Sequence, residues 1–351
     1  MKIAFHPKLL DCLPTYNRAQ FGKDLASGIT VGVLALPLAM AFAIASGCSP
    51  AAGIWTAIVA GFITSACGGS RVQIGGPTGA FIPIIYGIVA MHGFANLMGA
   101  TMLAGIFLLA MGIARMGQLI RFIPVTVVIG FTNGIAVVIF LAQLKDFFGL
   151  QIDNLPAEFF ARIKTLAANA HTVDLPTLAL ATACFVLLLS YNRLAQRFAL
   201  LRRAPGPLVV LIVGTLAAFV FDLPVETIGS RFNGIPQELP NFGFPSVSVH
   251  DFGKLISPAI TIALLGAIES LLSARVADSQ IDDRHDPNQE LIAQGLSNIA
   301  APLFGGFAAT GAIARTTTNV KTGGRTPIAG IIHAVVLLGI VLIAAPLASY
   351  V

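Results

Sequence analysis

Two glycine-rich stretches interrupt the long apolar runs of this sequence, and their residues could do chemistry. The first, residues 68–83, reads GGSRVQIGGPTGAFIP, and the second, residues 299–326, reads IAAPLFGGFAATGAIARTTTNVKTGGRT. Each contains Gly-Gly, an extended link, and then Thr-Gly-Ala at the start of a short apolar segment. Paired short or glycine-interrupted segments in the two halves of a membrane protein indicate a binding site of the kind transporters have.

The two Thr-Gly-Ala sequences predict half-helices over residues 77–91 and 311–320 that begin at mid-membrane. The first turn of a helix leaves backbone N–H groups unpaired and carries about half a positive charge. Two such ends facing each other would bind a small anion without needing a cationic side chain. Glycine would let the ion approach the main chain. The alternative is that Gly and Ala only allow helices to pack closely.

Two charged residues fall inside apolar segments near these half-helices. Arg315 lies one turn into the second, where a charge costs at least ~2.5–3.5 kcal/mol and needs a cavity or a partner. It either adds positive potential to the anion site, extends to the membrane surface, or pairs with Glu269. Glu269 is the only acid well inside a predicted span, and it is either neutralised by a coupling cation or held in a structural ion pair. Ser270 and Ser273 are nearby hydroxyls of the kind that usually bond the carbonyl one turn earlier.

The composition fits only one class of protein. The chain has 351 residues, of which 56% are hydrophobic and 11% charged, whereas soluble domains carry about 25% charged residues. The class is therefore an all-α polytopic membrane protein. Basic loops explain the net charge of +5 without nucleic acid. The sequence has no nucleophile–base pair, phosphate-binding loop or metal-ligand spacing, so we expect neither an enzyme nor a metal or other cofactor.

The apolar runs and the basic residues together predict the topology. Predicted full spans are about 27–46, 51–68, 95–114, 122–144, 175–191, 205–222, 255–275, 290–304 and 327–350. Short surface helices are predicted within 145–173, and an extramembrane loop over 223–253. With a cytoplasmic N-terminus, most Lys and Arg residues fall on the cytoplasmic side, which favours this orientation. The predicted location is the inner (plasma) membrane, with the chain crossing it several times.

With these segments in view, the chain resembles the sulfate permease (SulP) family of anion transporters. The similarity covers residues 20–351 and is strongest in four segments: DLASGITVGVLALPLAMAFAIASGCSPAAGIWTAIVAG, GGSRVQIGGPTGA, IALLGAIESLLSARVAD and ELIAQGLSNIAAPLFGGFAATGAIARTTTNVKTGGRT. The resemblance implies two inverted repeats of seven helices, arranged as a core domain that carries the substrate and a gate domain.

On that fold, the resemblance implies five regions. They are a cytoplasmic tail (1–24), core spans one to four (25–121), gate spans five to seven (122–223), an extramembrane loop (224–254) and core spans eight to eleven (255–351). The last three helices and the cytoplasmic STAS domain of the family would then be missing, so we expect a fragment truncated after the eleventh transmembrane segment.

The implied function is secondary active transport of a small inorganic or carboxylate anion, such as sulfate, bicarbonate, chloride or a dicarboxylate. Transport would be coupled to H+ or Na+, or would exchange anions, by an elevator-like movement of the core against the gate. The family also implies a homodimer in the lipid bilayer. The candidate substrate-binding residues are Phe42, Thr78, Gly79, Ala80, Gly311, Ala312, Ile313 and Arg315, and the candidate cation-coupling residues are Glu269 and Ser273.

Departures from the family pattern bear on the substrate and the coupling ion. Many relatives have Gln directly after the proline at position 37, where this chain has Leu38. Ile313 argues against a side-chain Na+ ligand there and slightly favours H+. One alternative is a nucleobase–cation symporter of the same fold, which would want polar side chains where residues 312–314 read Ala-Ile-Ala. The other is a membrane scaffold without transport, which would have no use for broken helices.

Overall fold

The structure is a computed structural model that describes residues 5–118, 125–152, 155–156, 158–197, 206–232, 234, 239–240, 242–246 and 252–348. Its helices are α1 (Lys8–Cys12), α2 (Arg18–Ala45), α3 (Pro50–Cys67), α4 (Ile82–Ile113), α5 (Val125–Phe148), α6 (Phe159–Ala168), α7 (Leu175–Arg197), α8 (Gly206–Val220), α9 (Ile228–Phe232), α10 (Phe252–Ile281), α11 (Pro287–Ala300), α12 (Ile313–Lys321) and α13 (Pro327–Ala348). Its strands are β1 (Gly75–Gly76) and β2 (Thr310–Gly311).

The chain divides into two compact units, residues 1–132 with 238–340 and residues 133–237 with 341–351. The first contains both glycine-rich stretches. In the second, the rings of Phe147 and Phe185 pack edge to face at 6.3 Å between centroids, and Asp174 accepts a hydrogen bond from the Thr177 amide at 3.0 Å. The predicted boundary between core and gate, at residues 121 and 122, lies outside the described residues, and the domain boundaries stay predictions.

The apolar helices largely follow the predicted spans. Four described helical stretches are long and apolar enough to cross a membrane: Arg18–Ala45, Pro50–Cys67, Gly79–Ile113 and Gly253–Ile281. The first begins within the predicted tail because Asn17 accepts a hydrogen bond from the Gln20 amide at 2.9 Å and so starts the helix early. The third joins the predicted half-span and the next span, with the break at Gly93, whose φ of 78° and ψ of 168° interrupt the helix.

The two glycine-rich stretches meet in an antiparallel ladder of two residues per strand. Gly75 lies opposite Gly311, and Gly76 lies opposite Thr310. A 3₁₀ turn over Gly79–Phe81 follows β1 and leads into α4, whereas β2 leads directly into α12. The all-α prediction is therefore confirmed, with this short ladder added at the two extended links.

Small residues bring the helices around the ladder into close contact. A Cβ added to Gly105 on α4 would lie 2.7 Å from the Gly295 carbonyl oxygen on α11, and one added to Gly295 would lie 2.6 Å from the Leu109 amide nitrogen. Neither position has room for a side chain, so α4 and α11 pack backbone to backbone.

The link that leaves α3 is held by hydrogen bonds from two distant parts of the chain. The Cys67 carbonyl accepts from the Gln289 side chain at 2.6 Å, and the Gly68 and Gly69 carbonyls accept from the amides of Lys8 and Asp286 at 3.0 and 2.9 Å. The N-terminal segment and the start of α11 therefore lie together on residues 67–69.

Candidate functional site

The ladder is fixed by hydrogen bonds from the elements around it. The Ile74 carbonyl accepts from the Ala312 amide at 2.8 Å, and the Ile74 amide donates to the Thr316 hydroxyl at 3.0 Å. On the other strand, Asn298 accepts from the Ala309 amide and donates to the Ala309 carbonyl, both at 2.9 Å. These contacts fix both strands, and so fix where the helices after them begin.

Both helices after the ladder begin without a side chain that caps them. Thr78 and Ala312 occupy the N-cap positions, and neither side chain accepts a hydrogen bond from the first turn. The Thr78 hydroxyl is buried and has no hydrogen-bond partner in the part of the chain that the structure describes, although Thr310 uses its own hydroxyl to donate to the Gly266 carbonyl at 3.0 Å. The Thr78 hydroxyl is thus free to bind a ligand.

The Arg315 side chain lies against the end of β1. The side chain is 3% exposed, and its Nη2 donates to the Pro77 carbonyl at 3.2 Å. Its Nη1 has no hydrogen-bond partner within the described ranges. A Cβ on Gly76 would overlap with Nη1, so glycine in β1 makes room for the guanidinium. The burial shows that an extension to the membrane surface is wrong, and no ion pair with Glu269 occurs within the described residues.

The candidate cation-coupling residues on α10 differ in how they are used. Glu269 is half-buried, and its carboxylate makes no hydrogen bond or ion pair in the described part of the chain. Ser273 is fully buried and donates to the Thr316 hydroxyl at 3.4 Å. Ser270 donates to a carboxylate oxygen of Glu290 at 3.3 Å. The expectation that these two serines bond the carbonyl one turn earlier is therefore wrong, because both connect α10 to other elements.

The other predicted substrate-binding residues lie at the two helix starts and near the end of α2. Ala80 and Ala312 are buried at the two helix starts. Gly79 and Ile313 are half-buried there, and Phe42 is half-buried near the end of α2. Their roles in substrate binding stay predictions.

The Gln73 amide and the Glu290 carboxylate lie behind the ladder and were not predicted from the sequence. A Cβ on Gly311 would overlap with the Gln73 amide nitrogen and lie 2.6 Å from its Cδ. The Gln73 amide in turn donates to Glu290 at 2.8 Å. The sequence Asp286-Pro287 is a helix-start signal, and applying it would have placed Glu290 one turn inside a helix instead of at the first residue of the predicted span 290–304.

Two half-helices that begin at a buried polar site, within a bundle of apolar helices, define a multi-pass helical membrane protein with broken helices. The chain belongs to the sulfate permease family, which it matches over residues 21–351. The resemblance drawn from its motifs is thereby confirmed.

Individual relatives agree with this assignment. The chain is 44% identical over 337 residues to a putative sulfate transporter, YvdB, of Bacillus subtilis, covering 96% of this chain and 62% of the relative. It is 33% identical over 344 residues to the bicarbonate transporter BicA of Picosynechococcus sp., covering 93% and 58%. The chain thus spans about three fifths of the length of these relatives, which are named as transporters and not as enzymes.

Solved structures give the same fold. The transmembrane domain of a cyanobacterial bicarbonate transporter BicA superposes with a TM-score of 0.86 at 31% identity, covering 96% of this chain and 85% of that one. SLC26A9 superposes with a TM-score of 0.82 at 19% identity, covering 97% and 57%. The inverted-repeat fold predicted from the resemblance is confirmed by these matches.

Proposed function

We propose that this chain carries the substrate site of a secondary active anion transporter. Its substrate is a small inorganic or carboxylate anion: sulfate, bicarbonate, chloride or a dicarboxylate. The anion binds between the starts of the two half-helices and crosses by an elevator-like movement of the core against the gate. The protein lies in the inner (plasma) membrane with its N-terminus in the cytoplasm, and it works as a homodimer.

One observation carries this proposal: each of the two open helix starts has a buried polar group without a hydrogen-bond partner among the described residues. These groups are the Thr78 hydroxyl and Arg315 Nη1, and Arg315 is bonded to the residue directly before Thr78. A buried unpaired donor costs about 1–3 kcal/mol, and the helix starts add positive potential. A small anion would satisfy both groups and both helix ends at once.

We further propose that Glu269 couples this anion to a cation. Its carboxylate has no partner among the described residues, so it is available for H+ or Na+. An anion nearby is repelled by the ionised carboxylate, and the repulsion falls when the carboxylate binds a cation. The Ser273 hydroxyl lies one turn further along α10, although its bond to Thr316 makes it less available.

The test is uptake of labelled sulfate and of labelled bicarbonate into proteoliposomes that contain the full-length protein. Arg315→Gln should raise the KM by at least ~10-fold, because two unit charges about 4 Å apart interact by ~4 kcal/mol near an effective dielectric of 20. Thr78→Val should weaken binding by removing one donor. The matched control is Arg325→Gln, since Arg325 donates to the carbonyls of Val320, in the last turn of α12, and Gly324, and not to the ladder.

Other outcomes would decide among the alternatives. Uptake of a labelled nucleobase but of no anion would identify a nucleobase–cation symporter. Uptake of neither class would favour the membrane scaffold. Equal KM values for Arg315→Gln and for the native chain would place the anion away from this arginine.

A further inference from the structure

Glu290 is a completely buried carboxylate that forms no ion pair among the described residues. It is 0% exposed, and no ion pair reaches it within the described residues. Buried charges are normally paired with an opposite charge because their removal from water is costly. Burying the Glu290 carboxylate therefore costs free energy, and the contacts around it indicate what the residue does.

Both carboxylate oxygens of Glu290 accept hydrogen bonds from the groups around it. Oε2 accepts from the backbone amides of Gly69 and Ser70 at 3.0 and 3.2 Å. Oε1 accepts from Gln73 at 2.8 Å, from Gln294 at 3.1 Å and from the Ser270 hydroxyl at 3.3 Å. These five donors fill the roughly four lone-pair sites of an ionised carboxylate. The carboxylate thus joins the link after α3, helix α10 and helix α11 at a single point.

The orientation of the Gln73 amide follows from its other contacts. Its Nε2 also donates to the Ser270 carbonyl at 3.2 Å, and a carbonyl can only accept, so this end of the amide carries the nitrogen. The same nitrogen lies directly behind Gly311 in β2. Gln73 therefore connects the Glu290 carboxylate to the back of the ladder.

We propose that Glu290 and Gln73 are a positioning pair for the substrate site: the ionised Glu290 holds the Gln73 amide against Gly311 and so sets where the ladder presents the two helix starts. This inference deepens the proposed function and rests on it for its binding readout. Glu290 touches no reacting or bound group itself, and it takes no part in cation coupling, which is assigned to Glu269.

The experiment compares Glu290→Gln with Ser297→Ala in the full chain reconstituted in nanodiscs. Ser297 is a matched control because it lies on the same helix, is fully buried, and bonds Thr64 of α3 at 2.9 Å without contacting Gln73. Two readouts are taken: the Kd for sulfate and for bicarbonate at several pH values, and hydrogen–deuterium exchange of residues 74–78 and 309–313.

Glu290→Gln places an amide NH₂ group among donors, so we expect a Kd raised at least tenfold at every pH and faster exchange at the ladder. Ser297→Ala should lower thermal stability but change the Kd by less than twofold and leave the ladder's exchange unchanged. If Glu290→Gln lowers stability yet keeps native Kd and exchange, the carboxylate only supports helix packing and the proposal is wrong.

A second variant and a second readout cover the cases in which Glu290→Gln does not fold or the native chain binds no anion. If Glu290→Gln does not fold, Gln73→Met removes the same connection, leaves four donors on Glu290, and should give the same two changes. If the native chain binds neither anion, the proposed function fails. The exchange comparison then still decides whether Glu290 positions the ladder.

Discussion

Adding one methyl group to Gly311 tests whether the ladder depends on the amide behind it. The new Cβ would lie 2.6 Å from Gln73 Cδ and 3.2 Å from its Oε1, and it would overlap with Nε2. The amide cannot retreat without losing its bond to the Glu290 carboxylate. A hydrogen bond to a charged group contributes about 1.5–3 kcal/mol, which corresponds to roughly 10- to 150-fold in Kd. We therefore expect Gly311→Ala to weaken anion binding by that factor.

The assay is a double-mutant cycle on anion Kd, measured by isothermal titration calorimetry. Gln73→Ala removes the obstacle, so Gly311→Ala should cost little more in that background, and the interaction energy should be at least ~1 kcal/mol. Gly87→Ala is the control, since Gly87 lies on α4 with nothing within 4 Å of an added Cβ. Additive effects of the two substitutions would refute the packing explanation and favour the other reading, in which the anion itself approaches Gly311.

Three further outcomes can be measured on the same protein. Glu269→Gln should keep anion binding or exchange but lose dependence on the coupling cation, as shown by uptake with imposed pH or Na+ gradients; unchanged dependence would make Glu269 structural. Asn298→Ala leaves the Ala309 amide and carbonyl unpaired, so the free energy of unfolding should fall by about 1–3 kcal/mol per group, and an unchanged thermal midpoint would contradict this. Burial, with Asp24 beside it, raises the pKa of Tyr16 from 10.0 to about 12. The neutral phenol therefore contributes its full stabilisation of the folded state below pH 10.0, and this contribution is lost as the pH rises through 12. Ultraviolet difference titration against Tyr16→Phe checks this, and a midpoint at the ordinary value would argue against it.

The breaks in the membrane helices could be predicted because local residues cause them. Glycine and threonine at 78–79 and 310–311 interrupt two apolar runs, and the structure begins new helices directly after them. The apolar runs identified an all-α membrane protein, and the resemblance of its ordered motifs to the sulfate permease family implied the inverted-repeat fold. The pairing of the two links into a ladder was not predicted, since it depends on two segments far apart in the chain.

The groups that support the site could not be predicted in the same way. Glu290 follows a run of charged loop residues, and its burial arises only because α11 packs beside a link that is 221 residues away in sequence. The sequence left Arg315 in the anion site, at the membrane surface or paired with Glu269. Only the structure shows that its Nη2 donates to the Pro77 carbonyl while its Nη1 has no partner among the described residues. Local patterns predict where a chain bends, whereas satisfaction of buried polar groups depends on tertiary contacts.

The hydrogen bonds on the link after α3 have a consequence for how the protein is made. Lys8, which donates to the Gly68 carbonyl, belongs to the chain already synthesised. The donors Asp286 and Gln289 and the acceptor Glu290 emerge later, and Gln289 follows its acceptor Cys67 by 222 residues. The first half-helix thus enters the bilayer before the residues that hold its link exist. Contacts of such long sequence separation form late and slowly. Assembly of the ladder is therefore a post-insertion step, completed only when α11 reaches the helices that preceded it.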